Sequence, residues 1–448
     1  MKKLITVLIC ITGGLKGFAQ TQPAGQSYNF TVAEAVTYAL EHKDSVLNAG
    51  LDVKSADYRV KEIIGQGFPQ INGSASFQDY LKVPTTLLPG EFFGAPAGTF
   101  IPVKFGVKYQ SSVGINATQL LFDPSYIVGL QSRKTYKELY SRSYTSTKID
   151  VATRVTKAYY QVLVSNEQIK LLDANIAQLK QQVDQTTAQN KQGFVEKIDV
   201  DRIAVQYNNL VTSRENTLRL LALNYQILKF QIGMPIDNSL TLREGLADIK
   251  LEENVAQVVA DTAFYKNRIE YNLFETNLKL SEFDLKRQKA QYLPTLSANA
   301  AYTSSYQNNS FGNLYSTSFP SSYIGLTLNV PIFSGFQKLN RVKQSEIVVQ
   351  KNRNNLDGLK NGLNLQAAQA KIVYFNSLQS LNNQKRNQDL AREVLRVSKI
   401  KYQQGVGSSI EVTQAQTALE SADNTYIQSL YDALVSRVDL DRAFGNIK

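Results

Sequence analysis

Residue types that usually carry catalysis and metal binding are scarce in this sequence of 448 amino acids. It contains one cysteine, one histidine and no tryptophan. Cys10 lies within the first twenty residues, so a chain cleaved after them would have neither disulfides nor thiol chemistry. His42 lies in a charged helical stretch and is predicted to be a solvated surface residue. With no zinc-site spacing, no phosphate-binding glycine loop and no marked carboxylate pair, the sequence predicts no enzyme, no cofactor and no metal.

Long apolar runs are also missing. After residue 20, no stretch of about twenty consecutive apolar residues occurs, so the sequence predicts no helical membrane span. The first twenty residues have the pattern of a secretory signal peptide, with basic Lys2 and Lys3, an apolar run from Leu4 to Ile11 and small residues near position 19. A start-anchored helix is the alternative interpretation, but the run is too short to span a bilayer.

The positive charge is spread along the chain. The formal net charge is +11, and residues 1–20 contain three lysines and no acidic residue, so a cleaved chain would carry +8. Lysine and arginine are scattered along helical stretches without a dense basic run, which is typical of solvated helix faces. We therefore predict no nucleic-acid partner.

The sequence contains two similar halves. A glycine opens the segment GFVEKIDV at Gly193 and the segment GVGSSIEV at Gly405, which is an offset of 212 residues. The same offset relates further pairs, namely Gln192/Gln404, Ile198/Ile410, Val200/Val412, Leu218/Leu430, Leu228/Leu440 and Gly233/Gly445. Such an ordered recurrence predicts a two-fold internal repeat.

The repeat predicts the domain organisation. The predicted segments are a signal peptide at 1–20, a first structural repeat at 21–233, an equatorial connector at 234–254 and a second structural repeat at 255–448. Each repeat is predicted to contain a helix, a β-hairpin, a long helix, a tip and a return helix. The hairpins are predicted at about 70–122 and 294–333, and the tips at 191–199 and 402–411.

Two pairs of segments alternate between apolar and small polar residues. The apolar sets are Ile71, Gly73, Ala75, Phe77; Val107, Tyr109, Val113, Ile115, Ala117; Leu296, Ala298, Ala300, Tyr302; and Ile324, Leu326, Leu328, Val330. This period of two predicts two hairpins with strands of about ten residues, the first pair separated by a Pro- and Gly-rich loop. A soluble hairpin packed on helices is the alternative. The strand length, the Ser/Asn/Gly/Thr face and aromatics near the strand ends favour an outer-membrane barrel.

Unusually long helical stretches follow both hairpins. Between Pro124 and Lys191 the apolar or small residues step by four and three, which predicts a coiled-coil heptad, and 335–404 is similar. Some 65 residues would make a rod of roughly 100 Å. Return helices are predicted at 199–232 and 410–444.

Two capping boxes mark predicted helix starts. Thr31 followed by Glu34 opens a helix that is predicted to continue until about residue 65. Ser408 followed by Glu411 opens the second return helix.

The ordered set of elements resembles the TolC-like outer membrane efflux proteins over essentially the whole chain after residue 20. The motifs that carry the resemblance are FTVAEAVTYAL from Phe30, the strand openers Pro69 and Pro294, LFD from Leu121, IFSG from Ile332, and the turns at Gly193 and Gly405. NRIE from Asn267 is similar to the family's Arg-Pro-Glu helix start, with Ile269 where proline is usual. Each motif is weak alone, and their order makes the set specific.

The resemblance implies an α+β membrane protein that assembles as a homotrimer. Each chain would give four strands to one shared twelve-stranded β-barrel in the outer membrane of a Gram-negative bacterium. This barrel would be continuous with a long α-helical barrel in the periplasm. Elementary physics agrees, because four strands cannot close a barrel alone and an open edge in lipid leaves backbone groups unpaired.

The resemblance also implies a gate and a docking end at the two tips. Asp199, Glu411 and Gln414 match the positions of the family's tip acids, with glutamine replacing the second acid of the second tip. Tyr402 matches a tyrosine that latches the tip, and Gly407 stands in place of the latch arginine. The turns expected to dock an adaptor contain Gly193, Phe194, Gly405 and Val406. For Asp199 and Glu411, helix capping and dipole stabilisation are the alternative role.

The function implied is a passive exit duct of a tripartite efflux or type I secretion system. Its partners would be a second and a third copy of the chain, a periplasmic adaptor, an inner-membrane RND or ABC transporter, and outer-membrane lipid. The alternatives are a secreted trimeric coiled-coil structural protein or adhesin, and a periplasmic adaptor. Neither alternative accounts for two hairpins at matching places, each followed by paired helices. The cargo is not indicated by any residue pattern.

Overall fold

The computed structural model describes residues 27–246, 249, 251 and 264–447 of the chain. The predicted signal peptide and residues 247, 248, 250 and 252–254 of the predicted connector lie outside the described residues. The chain folds into two compact units that each combine segments distant in sequence. The first contains residues up to 44, 151–253 and 374–438, and the second contains 45–150, 254–373 and 439–448. The division into two successive repeats stays a prediction.

Most of the described chain is helical. The helices are α1 (Val32–His42), α2 (Asp44–Gly65), α3 (Pro124–Lys191), α4 (Lys197–Ile232), α5 (Ile269–Ala290), α6 (Gln337–Gln403) and α7 (Ser409–Phe444). The strands are β1 (Ser27–Phe30), β2 (Gln70–Asp79), β3 (Thr85–Pro89), β4 (Phe100–Lys104), β5 (Tyr109–Phe122), β6 (Ser239–Leu242), β7 (Thr295–Asn308) and β8 (Phe319–Asn329). Within the described ranges, no helix is both long and apolar enough to cross a membrane.

Heptad seams form much of the core of the first unit. The seam between α3 and α4 contains Leu172, Leu179, Ile203 and Leu210. The seam between α6 and α7 contains Leu395, Val412, Ala415 and Leu419. Steps of three, four and seven residues put these side chains on one face of each helix, so each long helix buries a stripe against the helix that follows it.

The N-terminal helix predicted as one element is two helices, because the chain breaks at Lys43. The backbone there is extended, with φ −68° and ψ 125°. Gly233, with φ +75°, packs against this break so closely that a Cβ atom would lie 2.8 Å from the carbonyl oxygen of His42. The Lys43 ammonium donates to the carbonyl oxygen of Phe230 at 3.1 Å and lies over its ring. Tertiary contact with a distant turn therefore overrides the local helical pattern.

The second unit is built around a four-stranded antiparallel sheet with the order β2-β5-β7-β8. The register pairs Ile71 with Ala117, Ile115 with Tyr302, and Ala300 with Ile324. The members of all four apolar sets that lie within the strands are consequently on one face of the sheet, while Val107 and Val330 lie just outside β5 and β8. The edge strands β2 and β8 each have a neighbour on one side only.

The loop predicted between the first two strands contains a small sheet of its own. Strands β3 and β4 pair antiparallel from Thr85↔Lys104 to Pro89↔Phe100. The chain reverses between them through Gly94 and Gly98, whose φ angles are +77° and +87°. The proline and glycine content indicated a loop, but the short runs TTLLP and FIPVK have enough strand-forming residues to pair once the glycines reverse the chain.

A buried arginine fixes the start of α5. Arg268 is 3% exposed, and its guanidinium donates to the two carboxylate oxygens of Glu270 at 3.0 and 2.9 Å. It also donates to the carbonyl oxygen of Ala443 at 2.9 Å and to Oε1 of Gln366 at 3.1 Å. Burial raises the pKa of Glu270, but the bonds from Arg268 and from a backbone N–H outweigh it, so the pKa lies below its ordinary value of 4.5.

We expect Arg268→Met to lower the free energy of unfolding by about 3–5 kcal/mol, because the variant removes both short bonds to the partly buried Glu270 and leaves the 3.9 Å contact with Arg442 as its ion pair. The exposed ion pair of Arg59 and Glu62 provides the matched control, and Arg59→Met should have little effect. Urea unfolding of the purified protein, followed by circular dichroism, measures both.

The effect of Arg268→Met should also depend on pH. The pKa of Glu270 is lowered in the folded chain, so the pair's contribution is complete above pH 4.5 and is lost as pH falls through the folded-state pKa. A difference between wild type and Arg268→Met that does not shrink in acid would contradict this assignment.

Candidate gate at the two helical turns

Each long helix reverses at a glycine in the left-handed conformation. Gly193 has φ +80°, and the N–H of Phe194 donates to the carbonyl oxygen of Gln189 at 3.0 Å. Gly405 has φ +75°, and the N–H of Val406 donates to the carbonyl oxygen of Lys401 at 3.0 Å. These hydrogen bonds satisfy carbonyl groups at the ends of α3 and α6 that have no partner within the helix. Because glycine adopts a positive φ angle without strain, it recurs at both positions.

Apolar side chains project from both turns into solvent. Phe194 is 76% exposed, and Val406, which occupies the equivalent position of the other turn, is 78% exposed. Ile198 and Ile410, which are also equivalent, are about half exposed. Two exposed apolar residues at matching places in each turn are the kind of surface that a protein partner covers.

The first turns of α4 and α7 are linked by a hydrogen bond that the sequence did not reveal. The hydroxyl of Ser409 donates to the Oδ1 atom of Asp199. The Nη1 atom of Arg202 lies 3.6 Å from the same oxygen. About two turns further along, Nε2 of Gln206 donates to Oγ1 of Thr417 at 3.2 Å. Asp199 is thus a bridge between the two tips as well as a first-turn acid.

Ser409 could not be identified from the repeat. Its equivalent in the first half is Lys197, so nothing in the pairing of the two halves singles it out. A serine one residue after a predicted N-cap also has an ordinary local explanation.

Glu411 and Gln414, the two predicted gate residues on α7, face solvent. The backbone N–H of Glu411 donates to the capping hydroxyl of Ser408 at 3.2 Å. The side chains of Glu411 and Gln414 are exposed, and within the described part of the chain neither makes a hydrogen bond or an ion pair. The structure therefore joins Asp199 to α7 through Ser409 and leaves Glu411 and Gln414 free for contacts outside the chain.

Tyr402 lies beside this link without joining it. Its hydroxyl is buried and has no hydrogen-bond partner among the described residues. Burial, and secondly the negative charge of Asp199, raise the pKa of this hydroxyl. Close packing accounts for the glycine nearby, since a Cβ atom at Gly407 would lie 2.9 Å from Cβ of Lys401. The second turn has no room for an arginine there without a shift.

The family of outer membrane efflux proteins matches residues 35–220 and 255–446, which is most of the chain. The chain belongs to this family. The outer membrane protein TolC of Vibrio cholerae is 22% identical over 361 residues, covering 75% of this chain and 77% of its own length. The alkaline protease secretion protein AprF of Pseudomonas aeruginosa is 22% identical over 335 residues, covering 73% and 68%.

Solved structures show the same fold. CusC, whose structures describe folding and transmembrane channel formation, superposes with a TM-score of 0.74 at 17% identity and covers 96% of both chains. The chain is therefore a mostly helical channel protein of the outer membrane that extends into the periplasm, and it acts as an exit duct for efflux or secretion.

We expect Ser409→Ala to increase the open population of the channel about tenfold or more. The variant removes a hydrogen bond to a carboxylate, and such bonds contribute about 1.5–3 kcal/mol; about 1.4 kcal/mol corresponds to a tenfold change. Single-channel conductance in planar bilayers measures the change.

Thr425→Ala is the control for Ser409→Ala, since this exposed threonine bonds only within α7, to the carbonyl oxygen of Ser421. An unchanged open population in Ser409→Ala would show that the bond to Asp199 does not hold the tips. Tyr402→Phe should leave the open population unchanged, because the hydroxyl that it removes makes no hydrogen bond to Asp199, Ser409 or any other described residue.

Proposed function

We propose that three copies of the chain form one duct, with the four-stranded sheets joined into a twelve-stranded barrel and the helices joined into a periplasmic tunnel. The observation that carries the proposal is the pair of open sheet edges. Strands β2 and β8 each present a row of N–H and C=O groups with no partner strand among the described residues. In lipid these groups have no water to bond, so only closure of the sheet satisfies them.

The two faces of the sheet support this placement. The apolar face carries Ile324, Leu326 and Leu328, which are 89, 70 and 63% exposed. The opposite face carries small polar residues that bond one another, such as Ser76 with Ser112 at 2.8 Å and Asn299 with Thr327 at 2.9 Å. An apolar face for lipid and a polar face for the lumen are what a porin-like barrel needs.

Unpaired helical seams support the same assembly. On α4, four apolar residues in steps of three and four are between 42 and 62% exposed, namely Leu220, Leu223, Ile227 and Phe230. On α6, three more are between 39 and 65% exposed, namely Leu390, Val394 and Val397. Such stripes lie on the helix sides that the chain's own core does not use, and a neighbouring copy would bury them as a coiled-coil seam.

The helical turns would then be the closed and regulated end of the duct. Three copies of the bond between Asp199 and Ser409 would hold the tips, and the exposed Glu411 and Gln414 side chains would meet their counterparts near the axis. Phe194 and Val406 would dock a periplasmic adaptor, which opens the tips on behalf of an inner-membrane RND or ABC transporter. No energy source is required in the duct itself.

We expect Leu223→Glu to destabilise the trimer. Burying a leucine side chain contributes about 1.5–3 kcal/mol, and the assembly would lose three such contacts while burying three charges. Analytical ultracentrifugation in non-ionic detergent gives the oligomeric state.

Ala222→Glu is the matched control, because Ala222 is exposed and points about 100° around α4 from Leu223, away from the stripe. The control should remain a trimer. A wild-type chain that sediments as a monomer, or a Leu223→Glu trimer as stable as the control, would overturn the proposed assembly.

A further inference from the structure

A polar cavity lies between α3 and α6, near the ends where both helices turn. Its volume is about 170 Å³, which is several times the roughly 30 Å³ that one water molecule occupies in the liquid. Its lining consists of six glutamines, among them Gln182, together with Thr186, Lys399 and Tyr402. Amides, hydroxyls and an ammonium can all donate hydrogen bonds, and no carboxylate is among the lining groups.

Lys399 is the only charged group of this lining. It is half-buried, and among residues 27–246 and 264–447 its ammonium makes no ion pair and no side-chain hydrogen bond. Burial alone lowers its pKa to about 8, so the side chain is still mostly protonated at pH 7. A partly desolvated cation without a counter-charge is unfavourable unless a bound anion compensates it.

Two of the lining residues carry a buried polar atom without a partner. Oε1 of Gln182 and the hydroxyl of Tyr402 are both buried without a hydrogen bond to any described residue. Because buried polar groups in folded proteins almost always find a partner, rotation of these two side chains toward the cavity would give both atoms a partner in a bound group. The Tyr402 hydroxyl can donate to an anion, and the Gln182 amide can present its N–H₂ group after a flip of the side chain.

We propose that this cavity binds a small oxyanion, held by the Lys399 ammonium, the Tyr402 hydroxyl and the surrounding glutamine amides. The anion would bridge α3 and α6 just before their turns. The anion would be a compact group with several oxygen acceptors and at least one negative charge, such as inorganic phosphate, sulfate or a short carboxylate. Every lining residue carries a polar or charged group, which favours a small anion over an apolar organic ligand.

The test is a calorimetric titration of the full-length protein, purified in non-ionic detergent, with inorganic phosphate at pH 7 and constant ionic strength set by chloride. We expect saturable binding at one site per chain. Lys399→Gln should weaken binding at least tenfold, and Lys399→Arg should retain it. Lys401→Gln is the matched control, since Lys401 is an exposed lysine two residues away on the same helix, and it should bind like the wild type.

Sulfate and acetate titrations distinguish the kinds of oxyanion. Saturation by any of the three anions that is lost in Lys399→Gln supports the site and identifies its class. No saturable binding of phosphate, sulfate or acetate by the wild type would overturn the proposal, as would equal losses in Lys399→Gln and Lys401→Gln. We expect Lys399→Gln to fold like the wild type, because the substitution removes a half-buried charge that has no ion-pair partner among the described residues.

Discussion

The hydrogen-bonding groups at the open edges of the four-stranded sheet are the constraint on which the rest of the structure depends. Inside the sheet, β5 and β7 use both of their edges, whereas β2 and β8 use one. The chain has an apolar sheet face that suits lipid, and lipid is the solvent in which an unpaired edge is least tolerable. Closure of the sheet by further copies would satisfy these edges, and the proposed trimer is one assembly that meets this requirement.

The helices differ from the sheet because each one forms its backbone hydrogen bonds internally. The long helices therefore need a partner only for their apolar stripes. One stripe of α4 is buried against α3, and a second stripe around Leu223 stays exposed. The sheet therefore has open edges, and the helices have exposed apolar stripes, that the described chain does not cover. One assembly of several copies would cover both. The turns, by contrast, are closed by their own backbone bonds and can serve partners instead of the core.

Periodicity predicts what depends on local sequence, and tertiary contact decides the rest. The period of two at Ile71–Phe77 and the heptads before Lys191 predicted strands and helices close to their observed bounds. The break at Lys43 could not be predicted, because it depends on a glycine turn almost two hundred residues away. Strands β3 and β4 were hidden by their prolines. At the gate, Asp199 was predicted through resemblance, while Ser409 became visible only when the two tips were seen together.

Disulfide trapping tests directly whether β2 of one copy pairs with β8 of a neighbouring copy. The background is low, because Cys10 is the only cysteine of the sequence. Ser74→Cys on β2 would be combined in turn with Ser321→Cys, Gly325→Cys or Thr327→Cys on β8. Within one chain these strands are separated by β5 and β7, roughly 14 Å, which is beyond the reach of a disulfide. A shared twelve-stranded barrel would give a covalent trimer on non-reducing gels for one register and none for single cysteines. Monomers at every register, from protein in the outer membrane, would contradict it.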